Sequence, residues 1–115
     1  MNVLELARRY TAFANAHDLD GCESMFAVDM DYVSDGVGEH HGSSAIRRMM
    51  DDYFAARPDV HWQDGPYRQV AADAAAFDFV MTGTDPATAK PFRRTGVETV
   101  SFNASGMIRR IEVKG

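Results

Sequence analysis

The sequence predicts an α+β domain, with helices in its first half and antiparallel strands that curl around them in its second. Two observations carry this. Apolar residues recur at spacings of three and four over 3–16 and again after Ser43, which is the helical period, whereas from about residue 59 they alternate, which is the period of a strand. Helices packed on one face of a long curved sheet are among the few arrangements that bury both sets at once.

The first helix is expected over residues 3 to about 16, where Val3, Leu6, Ala7, Tyr10, Phe13 and Ala14 form one apolar stripe centred on Tyr10. Asp18-Leu19-Asp20-Gly21 breaks it. Asp20 followed by Glu23 has the spacing of a capping box, and so predicts a short second helix presenting Cys22, Met25 and Phe26. Residues 28–35 alternate as a strand, with Met30, Tyr32 and Ser34 on one face and Asp31, Val33 and Asp35 on the other. Alternation alone leaves open which face is buried. Gly36-Val37-Gly38 then predicts a loop.

Ser43 or Ser44 is the expected cap of a third helix. Ile46, Met49, Met50, Tyr53 and Phe54 form its apolar stripe, and Pro58 enforces its end. Strands are expected at about 59–63, 67–72, 75–83, 92–102 and 107–113, with Asn103-Ala104-Ser105-Gly106 as the hairpin between the last two. Counting by two along 92–102 places Phe92, Arg94, Gly96, Glu98, Val100 and Phe102 on one face. Glu98 therefore points with Val100 and Phe102 toward the core. A sheet curled around helices leaves a cone with an open mouth and a mostly apolar lining, as in many ligand sites.

At 115 residues the chain is one domain, 1–115, and with 45% hydrophobic residues it buries an adequate core without staples. A net charge of −5 argues against a nucleic-acid surface. The basic pairs Arg8-Arg9, Arg47-Arg48, Arg93-Arg94 and Arg109-Arg110 are scattered and read as solvated faces. The single cysteine, Cys22, excludes an internal disulfide and reads as a small core side chain. No apolar run approaches membrane-spanning length and no signal peptide opens the chain, so a cytoplasmic location with no membrane partner is expected.

Three side chains stand out chemically. Asp35 ends a strand, Tyr10 lies on an apolar stripe and Glu98 lies in an apolar strand register. Burying a carboxyl costs several kcal/mol and raises its pKa, which suits it to proton transfer. Each could instead be a hydrogen-bonded core residue. Phe26, Met50, Tyr53, Phe54, Trp62 and Val100 are the side chains expected to wall the pocket. His17 is expected at the surface. Glu39-His40-His41 lacks a third ligand at useful spacing, so no metal is expected. No Gly-rich phosphate loop or GxSxG elbow is present, and no cofactor is expected.

The stretches Tyr10 to Asp20, Met25 to Gly38, His41 to Ile46 and Glu98 to Ile108, in this order of elements, resemble the nuclear transport factor 2 superfamily, which includes ketosteroid isomerase and the SnoaL-like polyketide cyclases. The resemblance implies a cone-shaped, cystatin-like α+β fold in which a mixed or antiparallel sheet wraps three N-terminal helices. Bacterial ketosteroid isomerases are the most similar in spacing. That implies Asp35 as general base, and Tyr10 with a protonated Glu98 as donors to an enolate oxygen. Two departures are visible. Glu98 is one methylene longer than the aspartic acid it replaces, and Phe26 and Met50 stand where those enzymes carry bracing tyrosines. Tyr32 and Tyr53 are the hydroxyls left to substitute. A carboxylate pair flanking an arginine, as in the limonene-epoxide hydrolases of this superfamily, has no convincing match.

The expected function is cofactor-independent acid–base chemistry on a small apolar carbonyl compound: isomerisation, cyclisation or dehydration. The alternative is a non-catalytic ligand-binding or interaction module on the same cone. A homodimer through the sheet is expected, because Thr95, Val97 and Thr99 make its outer face half apolar and family members usually pair this way.

Overall fold

The computed structural model describes residues 1–115. Helix α1 (Val3–Asn15) is capped by Asn2, whose side chain accepts from the Glu5 N–H, and it buries Val3, Ala7, Tyr10 and Thr11. His17, at φ 56°, takes the left-handed turn that ends it. Its ring is not free at the surface: Nε2 lies 2.7 Å from the Val60 carbonyl and the ring packs edge-on to Phe54. Helix α2 (Leu19–Ser24) is capped by Asp18 rather than Asp20, through a 2.9 Å bond from the Gly21 N–H. Met25 closes α2, and Phe26 already opens strand β1 (Phe26–Ser34).

A short strand β2 (Gly38–His41), not foreseen from the glycines around it, folds back antiparallel on β1. Helix α3 (Ser43–Ala56) follows, capped by Gly42 with no side-chain bond, so neither Ser43 nor Ser44 serves. Gly42 takes φ +89°, a conformation costly for other residues, and its N–H reaches the Met30 carbonyl. Ile46, Met50 and Phe54 form the buried stripe of α3.

The two strands expected between 59 and 72 are one strand, β3 (His61–Ala71), with a bulge between Asp64 and Tyr67. Pro66 is tolerated there because β3 is an edge strand. Strands β4 (Ala74–Thr84), β5 (Pro91–Phe102) and β6 (Ile108–Lys114) complete a six-stranded sheet ordered β2-β1-β6-β5-β4-β3. Gly106, at φ +80°, makes the turn between β5 and β6. All pairs are antiparallel except β1 with β6, whose connection runs through residues 35–107. The core joins Val3, Ala7, Cys22, Met30, Ile46, Phe77, Val100, Phe102, Ile108 and Ile111, each at most 1% exposed. No helix is long and apolar enough to cross a membrane.

Candidate active site

A cavity opens between α1, α3 and the inner face of the sheet. Strand pairing sets out that face in rows. Trp62, Met81 and Arg94 lie abreast; Asp64, Phe79 and Gly96 form the next row; Tyr67, Phe77 and Glu98 form the third. Glu98 continues across to Val113 and Ser34. A Cβ at Gly96 would strike the Lys114 carbonyl and the Phe79 ring, so glycine here lets that ring lie across the strand.

The cavity has a free volume of about 60 Å³, well below the roughly 300–1,000 Å³ of pockets that hold drug-sized ligands. As it stands it takes a few waters or the head of a small ligand. Met49, Met50 and Met81 line it, and such unbranched chains reshape readily.

Tyr10 and Glu98 both line the cavity, as expected from their registers. Burial, with the nearby Asp64 charge adding to it, raises the Glu98 pKa from 4.5 to about 8. Burial likewise pushes the Tyr10 and Tyr32 hydroxyls well above their ordinary range, with the Glu98 charge contributing to both. At neutral pH all three are proton donors.

Asp35 is the correction. It is exposed and stands outside the cavity lining. Its carboxylate accepts from the Gly115 N–H at 3.1 Å. The reason is strand parity. Ser34 is buried and lines the cavity with Tyr32, so the next residue faces away. Among the expected wall residues, Met50, Tyr53, Phe54 and Trp62 line the cavity. Phe26 and Val100 do not. Both are buried in the core beyond it, Phe26 against the Tyr10 ring and Val100 two residues past Glu98.

The carboxylate that does reach the cavity is Asp64. Asn15, at the end of α1, grips the main chain of Trp62 twice: its amide donates to the carbonyl at 2.7 Å and accepts from the N–H at 2.8 Å. The edge strand is thus fastened to the helix, and Trp62 and Asp64 share the inner face. Tyr67 Oη donates to Asp64 Oδ2 at 2.7 Å and lies 2.6 Å from Thr11 Oγ1. Each hydroxyl has one proton. Thr11 Oγ1 also lies 3.0 Å from the Arg8 carbonyl, so its single proton serves either that carbonyl or Tyr67, while the Tyr67 proton serves Asp64. Oδ1 is buried and has no partner in the protein.

Arg94 also lines the cavity, although it belongs to a basic pair read as solvated. Its Nε donates to the Gly115 oxygen, and Nη2 is buried without a partner. Register could have found both residues. Arg94 shares the face of Glu98, and Asp64 is two residues past Trp62, hidden by the apparent break at Gly65-Pro66.

Residues 7–111 match the model of the SnoaL-like domain. No curated protein matches the chain. Among solved structures, an uncharacterised cystatin-fold protein from Novosphingobium aromaticivorans is 24% identical with a TM-score of 0.84, covering 100% of this chain and 99% of its own. A Mycobacterium tuberculosis protein in complex with estradiol-17beta-hemisuccinate is 18% identical with a TM-score of 0.84, covering 98% and 92%. A putative polyketide cyclase from Sinorhizobium meliloti is 21% identical with a TM-score of 0.80, covering 96% and 94%. At these identities the likeness establishes the cone-shaped fold.

Proposed function

We propose, from the premise that the chain belongs to the SnoaL-like domain family, that it is a cofactor-independent enzyme that moves a proton on a small apolar carbonyl compound. The observation that carries this is the pair of unlike carboxyls on one apolar wall: Asp64, with a free buried oxygen, and Glu98, held protonated. Asp64 Oδ1 takes the proton from the carbon next to the carbonyl. The electron pair moves onto the carbonyl oxygen, which gains hydrogen bonds from Glu98 and Tyr10. With a β,γ-unsaturated carbonyl, returning the proton to the γ-carbon gives isomerisation; with a β-hydroxy carbonyl, the re-formed carbonyl expels the hydroxyl, which takes the proton from Asp64 and leaves as water, giving dehydration. Tyr67 holds the other oxygen of the base in place. The Mycobacterium tuberculosis neighbour with its estradiol ester and the neighbour described as a putative polyketide cyclase both suit a small-molecule role.

The test is deuterium exchange next to the carbonyl, followed by NMR in D₂O, for small cyclic ketones and 3-cyclohexenone. Wild-type protein should accelerate exchange, and Asp64→Asn should lose a factor of about 10² to 10⁴. An Asp64→Asn variant as active as wild type ends the role assigned to Asp64.

A second reading is a non-catalytic binding module. It is favoured by Phe26 and Met50 standing where bracing hydroxyls would be, and by Asp35 lying outside the cavity. Ligand binding by wild-type protein with no exchange on any ketone supports it. The proposal includes a homodimer through the outer face around Thr95, Val97 and Thr99, and light scattering at micromolar concentration tests it.

A further inference from the structure

Arg94 has no task in the chemistry just described, yet it lines the cavity and one of its nitrogens, Nη2, is buried without a hydrogen-bond partner. A buried donor left unmade costs about 1–3 kcal/mol, and more on a charged group. The surroundings hold the side chain in place. Nε is fixed on the Gly115 oxygen, and a Cβ at Gly36 would collide with Nη1, so the Asp35–Gly36 turn closes over the guanidinium. The guanidinium charge is felt at both Tyr32 and Tyr53, which line the cavity. Nη2 is the buried nitrogen that no protein group satisfies, and Arg94 lines the cavity, so a bound ligand can supply its partner.

Neither cavity carboxyl is Arg94's partner. Glu98 is four residues away on the same face, roughly 13 Å along an extended strand. Asp64 lies two strands across and one row down, with Oδ2 occupied by Tyr67. The cavity therefore presents an unspent positive donor at one end, apolar rings between, and the carboxyl pair at the other. We infer that Arg94 binds the carboxylate of the ligand, so that the molecule accepted is a small apolar acid whose anionic end sits at Arg94 and whose body extends toward Asp64 and Glu98. This deepens the reading above by naming its substrate class. Arg94 is a binding and positioning residue; no proton passes through it. Anionic ligands are favoured despite Asp64 because a charge-assisted bond to the buried Nη2 is about twice as strong as a neutral one.

The experiment compares benzoate with benzamide, equal in shape and unequal in charge, by titration followed through Trp62 fluorescence at pH 7. Wild-type protein should bind benzoate at least about tenfold tighter than benzamide. Arg94→Gln should lose that preference to within about twofold, and Arg94→Lys should keep part of it, since a point charge replaces the fork. Arg93→Gln, on the exposed opposite face of the same strand, should behave as wild type, and melting curves check that each variant is folded. Equal binding of the two probes by wild-type protein, binding of neither up to about 10 mM (roughly the weakest affinity worth calling a site), or a preference retained in Arg94→Gln overturns the assignment. The outcome is separable from catalysis. A benzoate preference that depends on Arg94, without deuterium exchange on the ketones or on a keto acid such as 3-oxocyclohexanecarboxylate, refutes the enzyme reading and keeps the anion site. Exchange with no such preference does the reverse.

Discussion

The end of β1 and the middle of β3 each present an aspartate beside a glycine turn or bulge, and they use it in opposite ways. Asp35 follows the buried Ser34, faces out, and ties down the Gly115 N–H in contact with water. Asp64 precedes a bulge in an edge strand, faces in, and holds Tyr67 with one oxygen while the other is free in the cavity. A carboxylate acquires chemistry from the side of the sheet it occupies and from what desolvates it. A strand end next to a flexible loop supplies neither.

The largest effect that sharpens this contrast is on exchange. Asp64→Asn should lose about 10² to 10⁴ in rate, while Asp35→Asn should stay within about threefold, a difference well under 1 kcal/mol. Equal losses in both would collapse the distinction. Next is the pH dependence of stability. The folded Glu98 pKa, about 8, lies above its ordinary value of 4.5, so the folded state holds the proton more tightly. Stability contributed by the neutral carboxyl is complete below about pH 4.5 and is lost as pH rises through about 8. The full loss is on the order of a few kcal/mol. Urea melts across this range should slope downward in wild type and flatten in Glu98→Gln; an unchanged slope would mean that Glu98 is not the group responsible. Exchange should also fall above about pH 8, as the donor ionises.

Smaller is the effect of the clasp on β3. Asn15→Ala removes both bonds to Trp62 and strands two polar groups of an edge strand, at a cost of about 1–3 kcal/mol by denaturant midpoint. Tyr67→Phe leaves the fold nearly intact and frees Asp64 Oδ2. It should cost about 1–3 kcal/mol in stability and lower exchange about tenfold through a loosened base. A drop in stability with unchanged exchange would make Tyr67 purely structural.

Much of the site was legible before folding. Tyr10 sits on the stripe of α1 and Glu98 in the apolar register of β5, and both reach the cavity. Arg94 was in the same register but was discounted as half of Arg93-Arg94, although alternation must put the two on opposite faces. Asp64 was hidden because Gly65-Pro66 looks like a strand break, and only the edge position of β3 allows the strand to run through it. Asp35 was placed in the cavity by resemblance, while its own alternation left the question open.

By itself the amino-acid pattern determined the kinds of element, their order and which side chains travel together on a face, because these depend on periods of two and 3.6 within a few neighbouring residues. It also placed Glu98 with Val100 and Phe102, and so among apolar neighbours. Which face of β1 turns inward, that β1 lies parallel beside β6, that Asn15 fastens Trp62 and that Asp64 meets Tyr67 and Thr11 were decided by tertiary packing. Those pairings include partners as distant in sequence as Phe26 and Ile108, and a local period carries no information about which distant partner will remove the water.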